Sequence, residues 1–409
     1  MTGVVLMSLP ASLTAAVVVL LGTTQASLAQ NNSQSSLPEG AGKALVENAC
    51  TACHGVSTIK RSAGYSSPEE WRRVFSTMID LQDEQATRVA NYLAQHFPED
   101  PGRRPTLVPG NVDIEITEWT TPTLGQRTRD PIEAPDGSIW WTGMWASLVG
   151  KLNPNTGEMK EYNLPPSARP HSIVPDEDGN IWYTGNSNAT IGKLNPDTGN
   201  ITEYETQAKD PHSAVFHPNG NLYFTAQHAA MLGRLDPETG VLKEVNTEAR
   251  PYGIKVDSNG TVWIAYNGTN KIGAMNPNTM EVRYYNLPDK RTRVRRLDLD
   301  SQGNVWYVNS TRGKIGRLNP DTGAITEWDS PSGTDSHPYA LAVIDDIIWY
   351  NESGMRPDAI VRFDPKAETF QSWAIPSGVG IIRNVWVTEE ENLLIHQSST
   401  NQVGLVRIN

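Results

Sequence analysis

The stretch Ile191-Gly192-Lys193-Leu194-Asn195-Pro196-Asp197-Thr198-Gly199-Asn200-Ile201-Thr202-Glu203-Tyr204 decides the fold. It reads as an apolar strand end, a turn rich in Asn, Pro, Asp and Gly, and a second short strand. Its opening recurs as Val149-Gly150-Lys151-Leu152, Leu232-Gly233-Arg234-Leu235, Ile272-Gly273, Ile315-Gly316-Arg317-Leu318, Ile360-Val361-Arg362-Phe363 and Val403-Gly404, at successive spacings of 42, 41, 40, 43, 45 and 43 residues. Upstream of most copies lies another turn and an aromatic strand, such as Gly179-Asn180-Ile181-Trp182 or Gly303-Asn304-Val305-Trp306. Four short strands in about 42 residues cannot bury both faces alone, so the units must stack into a closed β-propeller. Seven copies fit between 112 and 409, and the last ends after its third strand. Ile114-Glu115-Ile116-Thr117-Glu118-Trp119 is therefore expected to supply the missing outer strand and close the ring, leaving no open edge.

Composition agrees with a large turn-rich core. Gly and Pro make 61 of 409 residues, Trp numbers 12, and the two cysteines offer no disulfide framework. The 34 basic against 46 acidic residues give a net charge of −12, which argues against a nucleic-acid partner. Residues 1–29 carry no charge, and an apolar run from Ala11 to Leu21 precedes Ser27-Leu28-Ala29. This reads as a cleaved signal peptide that sends the chain to the periplasm or otherwise exports it. An uncleaved anchor, the only route to a membrane partner, is the alternative. Residues 30–40 and 99–111 read as linkers.

Between the linkers, 41–98 reads as a small all-α domain. Its first helix runs into Cys50-Thr51-Ala52-Cys53-His54, the attachment pattern of a c-type haem. One helical turn separates the thiols that would be joined to the two vinyl groups, and His54 follows as proximal ligand to the iron. A redox dithiol or half a zinc site are the competing readings. Ser67-Pro68-Glu69-Glu70 opens another helix, with Trp71, Val74, Phe75 and Met78 on one face. Met78 is the candidate for the second axial ligand, with ordinary core as its alternative. His96, expected to face solvent near the end of a helix over 83–97, is the competitor. The segment resembles class I c-type cytochromes, which implies one covalent haem c, electron transfer, and an electron donor or acceptor in the periplasm.

Counting ten residues back from each aromatic strand gives one equivalent position per blade: Arg129, His171, His212, Tyr252, Arg295 and Arg383, with Tyr339 in the sixth blade. These residues begin the innermost strands, so they should converge on the axis as a binding site for a small anionic molecule. A water-filled channel with Arg–Asp pairs through Asp130 and Asp298 is the alternative. A metal held by His171, His212, His228 and His396 is another.

The repeats resemble the virginiamycin B lyase (streptogramin lyase) family of seven-bladed propellers. The steps Arg169-Pro170-His171, Asp210-Pro211-His212 and Arg250-Pro251-Tyr252-Gly253 match that family's site in order. The resemblance implies His212 as general base, His171 as substrate-binding residue, and Asp210 as a ligand to Mg2+. Asp210 stands where the family has Glu, and Gln227 where it has a second metal-binding Glu. Two functions follow. One is an exported electron-transfer protein whose propeller binds an anionic substrate or a redox partner. The other is a magnesium-dependent C–O lyase with an accessory cytochrome. A propeller that only docks a partner is a milder third.

Overall fold

Seven antiparallel sheets of four strands each follow one another along the chain. The computed structural model describes residues 36–409 except Cys53, His54, Ala63, Gly64 and Val379. Pro38–Asn409 forms one compact unit; a second, Met1–Leu37, lies almost wholly outside the described residues, and with it the expected signal segment. Among the described residues no helix is long and apolar enough to cross a membrane.

The ring closes as expected. Strand Ile114–Thr120 pairs antiparallel with Gln402–Ile408, from Ile114 opposite Ile408 to Thr120 opposite Gln402, as the outermost strand of the last blade.

The recurring Ile-Gly-Lys-Leu run has a packing cause. In four blades the glycine of the third strand lies opposite an aromatic residue of the second: Gly150 faces Trp141, Gly192 faces Tyr183, Gly233 faces Phe224 and Gly316 faces Tyr307. A Cβ on Gly233 would lie 2.0 Å from Phe224 Cζ, so the ring occupies the space a side chain would fill. In three blades the turn before the aromatic strand is tied to it as well. Trp182 Nε1 donates to Asp176 Oδ2 (2.9 Å), Trp263 to Asp257 (2.8 Å) and Trp306 to Asp300 (2.9 Å). The same indoles stack on the outer strand of their own blade, as Trp182 does on Tyr204 and Trp306 on Trp328.

Each inner strand of the first six blades starts with a register shift, as between Pro170 and Ile173 or between Val294 and Leu297. Such a bulge re-aims the residues inside it, and here those residues point to the axis.

The helical segment comprises α1 (Lys43–Cys50), α2 (Val56–Arg61), α3 (Pro68–Phe75) and α4 (Asp83–His96). A capping box opens α3: Ser67 Oγ accepts from Glu70 N–H, and Glu70 Oε2 accepts from Ser67 N–H. Trp71, Val74 and Phe75 are buried on α3, as are Ala86, Val89, Ala90 and Leu93 on α4. The helix ends at Phe75, three residues short of the expected Met78, which sits in the following turn with its N–H on Phe75 O (2.9 Å).

That turn rests on the propeller. Thr77 O accepts from Gly125 N–H (3.1 Å) and from Asn401 Nδ2 (2.5 Å). The expected linker is also bound. Arg103 donates to Gly354 O through Nε (3.1 Å) and Nη2 (3.0 Å), Val108 exchanges bonds with Ser372, and Gln371 Nε2 donates to Val112 O (2.6 Å). Residues 103–112 therefore strap the helices to the sixth blade.

Replacing Gly233 with Ala should lower stability by about 1–3 kcal/mol, because Phe224 must leave its rotamer. Urea unfolding would read this, and an unchanged midpoint would contradict the packing argument.

Candidate functional site

The seven residues picked by counting do converge. Arg129, His171, His212, Tyr252, Arg295 and Tyr339 each stand second in an inner strand, and Arg383 precedes the short strand Trp386–Val387. The His171 and His212 rings are 3.5 Å apart, and His212 lies 4.1 Å from the Tyr252 ring. Tyr252 and Tyr339 join hydroxyl to hydroxyl. Arg295 and Arg383 each donate through Nη1 to Tyr339 Oη at 3.2 Å. The expected anion site is thus closed on itself, with a phenol oxygen in the place of an external anion.

Electrostatics follow from burial. Burial, then the Arg129 charge, holds His171 well below the usual imidazole range, and burial with Arg296 does the same for His212. Burial alone would push the Tyr339 phenol up, but Arg383, Arg295 and Arg129 outweigh it and hold it down to about 7. Tyr252 moves the other way, raised by burial and by its neighbour Tyr339.

One residue escaped the sequence reading. The bulges turn two consecutive residues inward, so Arg296 also reaches the axis. It donates to Ser213 Oγ (2.9 Å) and Arg383 O (2.9 Å), and stands 3.7 Å from Asp130 Oδ2. Gly253 makes room: a Cβ there would meet Arg295 O at 2.7 Å and crowd Arg296. The Arg295-Arg296 doublet was the available signal. Of the two expected acid partners, Asp130 joins the axis, whereas Asp298 pairs with Lys255 instead (3.2 Å).

A magnesium ion does not fit the residues proposed for it. Asp210 is committed to the loop between the second and third strands of its blade: Oδ2 accepts from His228 N–H (2.6 Å) and contacts His228 Nδ1 (2.7 Å), while Oδ1 accepts from Ala229 N–H (2.9 Å). Among the described residues no three His, Cys, Asp or Glu stand close enough to hold a metal. His396, the fourth imidazole considered, is a structural hinge pin. Its Nε2 accepts from Arg383 N–H (2.9 Å) while Nδ1 faces Thr128 O (2.8 Å), which sets a neutral ring.

Above Arg383 a cavity of about 600 Å³ opens between the helices and the propeller. That is within the range of about 300–1,000 Å³ for small-molecule sites. Cys50, Ala52, Phe75, Met78 and Ile79 line one side, while Arg103, Arg127, Arg356 and Arg383 stand on the other, with no carboxylate among the lining residues. Burial, with Arg129 and Arg383 nearby, pulls Arg127 down to about 9, and burial with Arg356 pulls Arg103 down to about 10. Trp145 lies under the Arg127 guanidinium at 4.9 Å. Cys53 and His54 lie outside the described residues. His96 does not line the cavity; contrary to expectation it is half-buried, its ring 4.5 Å from Tyr92.

Fold and axis define a seven-bladed propeller with a polar, ligand-type centre. The profile of the Virginiamycin B lyase family matches residues 110–245 and 238–409, and the chain belongs to that family. A solved streptogramin B lyase shares 24% identity with it at a TM-score of 0.66, over 72% of this chain and 98% of that one. The virginiamycin B lyase of Staphylococcus aureus shares 22% identity at a TM-score of 0.64, over 72% and 99%. Hydrazine synthase of Kuenenia stuttgartiensis shares the fold at 12% identity and a TM-score of 0.59, over 69% and 96%. None of the curated protein sequences matches the chain.

Burying His171, His212 and His396 neutral has a pH consequence. Their folded pKa values are depressed, so the unfolded chain binds more protons near and below about pH 6.5 and stability falls with acidity there. Asp358, raised to about 8 by burial, offsets one of the three, because it keeps a proton that the unfolded chain loses. His337, pushed down to about 4 by burial and then by Arg295, adds a fourth histidine of the same sign, so the net slope, about three protons or ~4 kcal/mol per pH unit below pH 6.5, is measurable by urea unfolding between pH 5 and 7. A flat profile would refute neutral burial.

Proposed function

We propose that this member of the family is an exported electron-transfer protein, with a haem c held in the cavity between the helices and the propeller. The observation that carries the reading is that the Cys50 thiol and the Met78 thioether share a cavity whose opposite wall holds four guanidiniums. An apolar wall facing a cationic one, with no acid between them, suits a flat apolar group bearing carboxylates.

Cys50 and Cys53 would tether the group, and His54 and Met78 would be its axial ligands. Arg103, Arg127, Arg356 and Arg383 would offset its carboxylates, and Phe75 and Trp145 would shield it from water. A haem c bound there supplies a one-electron couple, whose potential a thioether ligand raises relative to a second histidine. A small anionic substrate, or a periplasmic donor or acceptor, would be met at the arginine wall of the cavity, since the axial cluster below is closed on the Tyr339 oxygen.

A second reading, lyase-type elimination, draws more from the comparisons, which bear on the propeller and not on the haem. Neutral His212 has the lone pair that a general base needs, and His171 beside it fits substrate binding. Against it stand the committed carboxylate of Asp210 and the closed Tyr252–Tyr339 pair.

The test is a pyridine haemochrome spectrum of protein expressed in a periplasm with haem-attachment machinery. One haem per chain is expected, lost when Cys50 and Cys53 become Ser. Met78→Ala should keep the covalent haem and lower its midpoint potential. A colourless protein that opens a streptogramin B depsipeptide, with activity abolished in His212→Ala, would establish the second reading instead.

A further inference from the structure

Arg383 belongs to two sites at once. It lines the cavity under the helices, and its Nη1 donates to Tyr339 Oη at 3.2 Å. Its backbone is pinned on both sides, by His396 Nε2 accepting its N–H and by Arg296 Nε donating to its carbonyl. Its Nε is buried with no hydrogen-bond partner. The side chain therefore cannot leave one site for the other without breaking bonds.

The hydrogen bonds around Tyr339 determine its proton. Its oxygen receives N–H groups from Arg295 and Arg383, neither of which can accept. The remaining partner is the Tyr252 hydroxyl. If Tyr252 donates, Tyr339 accepts three bonds and has no acceptor for a proton of its own. Two phenols thus share one proton site, and the second proton is weakly held. The groups around the pair are cationic or neutral except Asp130, which acts on Arg129 and Arg383 and stands 3.7 Å from Arg296. Arg129, Arg295 and Arg383 act directly on Tyr339, Arg127 lies beyond them, and Arg296 stacks 5.2 Å from the Tyr252 ring. His337, two residues before Tyr339 and just ahead of its strand, is neutral, pushed down to about 4 by burial and then by Arg295.

We infer that the Tyr252–Tyr339 pair is the proton partner of the redox group in the cavity, with Arg383 as the link between them. This rests on the haem reading above. When that group takes one electron from an external one-electron donor, the cavity gains one negative charge, Arg383 compensates it, and the field holding the Tyr339 phenolate weakens. One proton then passes from water to Tyr339 Oη, giving a neutral phenol. On reoxidation the electron leaves to an acceptor and the proton returns to water, so charge and atoms balance. The axis thus offers an acceptor of one electron and one proton, the exchange made by quinols, phenols and other hydrogen-atom donors.

Spectroelectrochemical titration of the full-length haem protein between pH 5.5 and 9 tests this. The midpoint potential should fall as pH rises through the titration of the pair, since the oxidised form has lost the proton. Tyr339→Phe should abolish that fall while the haem absorption remains. Tyr252→Phe, which removes the donor to the phenolate, should move the window to higher pH, and serves if the first variant does not fold. A haem-bearing protein whose pH dependence is absent, or identical in either variant, overturns the inference and leaves the haem reading standing. A protein without haem overturns both.

Discussion

Seven inner strands that start at one axis force their leading side chains into each other's company. In this chain those side chains include Arg129, Arg295, Arg296 and Arg383, and the ring cannot open to separate them. Its closure is a ladder from Ile114–Ile408 to Thr120–Gln402. Like charges held together with little water must find compensation inside the molecule. One compensating group is Asp130, 3.7 Å from Arg296; another is the phenol oxygen of Tyr339, which takes bonds from two guanidiniums. Neutral histidines and the stacked Tyr252 ring fill the rest. The chemistry available at the axis is therefore a consequence of ring closure.

Above the axis, the cap and the mouth make complementary demands. The third helix and the turn after it present Phe75, Met78 and Ile79, and the strap and propeller present four arginines and Trp145. Neither wall suits water alone: the first is apolar, and the second carries cations whose burial already depresses Arg103 and Arg127. A ligand that is apolar in its body and anionic at its edge satisfies both. The lyases of known structure resemble the propeller portion, over 72% of this chain; the helices precede that portion.

Much of this was legible from spacing. The repeat period gave the blade count and the closing strand, because a Gly opposite an aromatic residue recurs in most blades and an Asp bonded to an indole in three of them. Counting back from the aromatic strands found all seven ring residues. The bulges were not legible: they break the two-residue alternation of a strand, so Arg296, next to a residue already assigned to the axis, was passed over. Met78 was placed on a helix because Trp71, Val74 and Phe75 keep the period; the helix stops at Phe75, yet the turn still brings Met78 to the cavity. The partnership of Asp210 with His228 had no signal, since a family resemblance carries a residue's position and not its hydrogen bonds.

The strap 103–112 adds a thermodynamic consequence. The chain leaves the helices, crosses the sixth blade and runs directly into the strand that completes the seventh. Cap and wheel are therefore not separable parts, and whatever binds between them binds only the assembled pair. By mass action such a ligand resists disassembly of the wheel as well as release of the cap, so filling the cavity and keeping the circle intact become the same equilibrium.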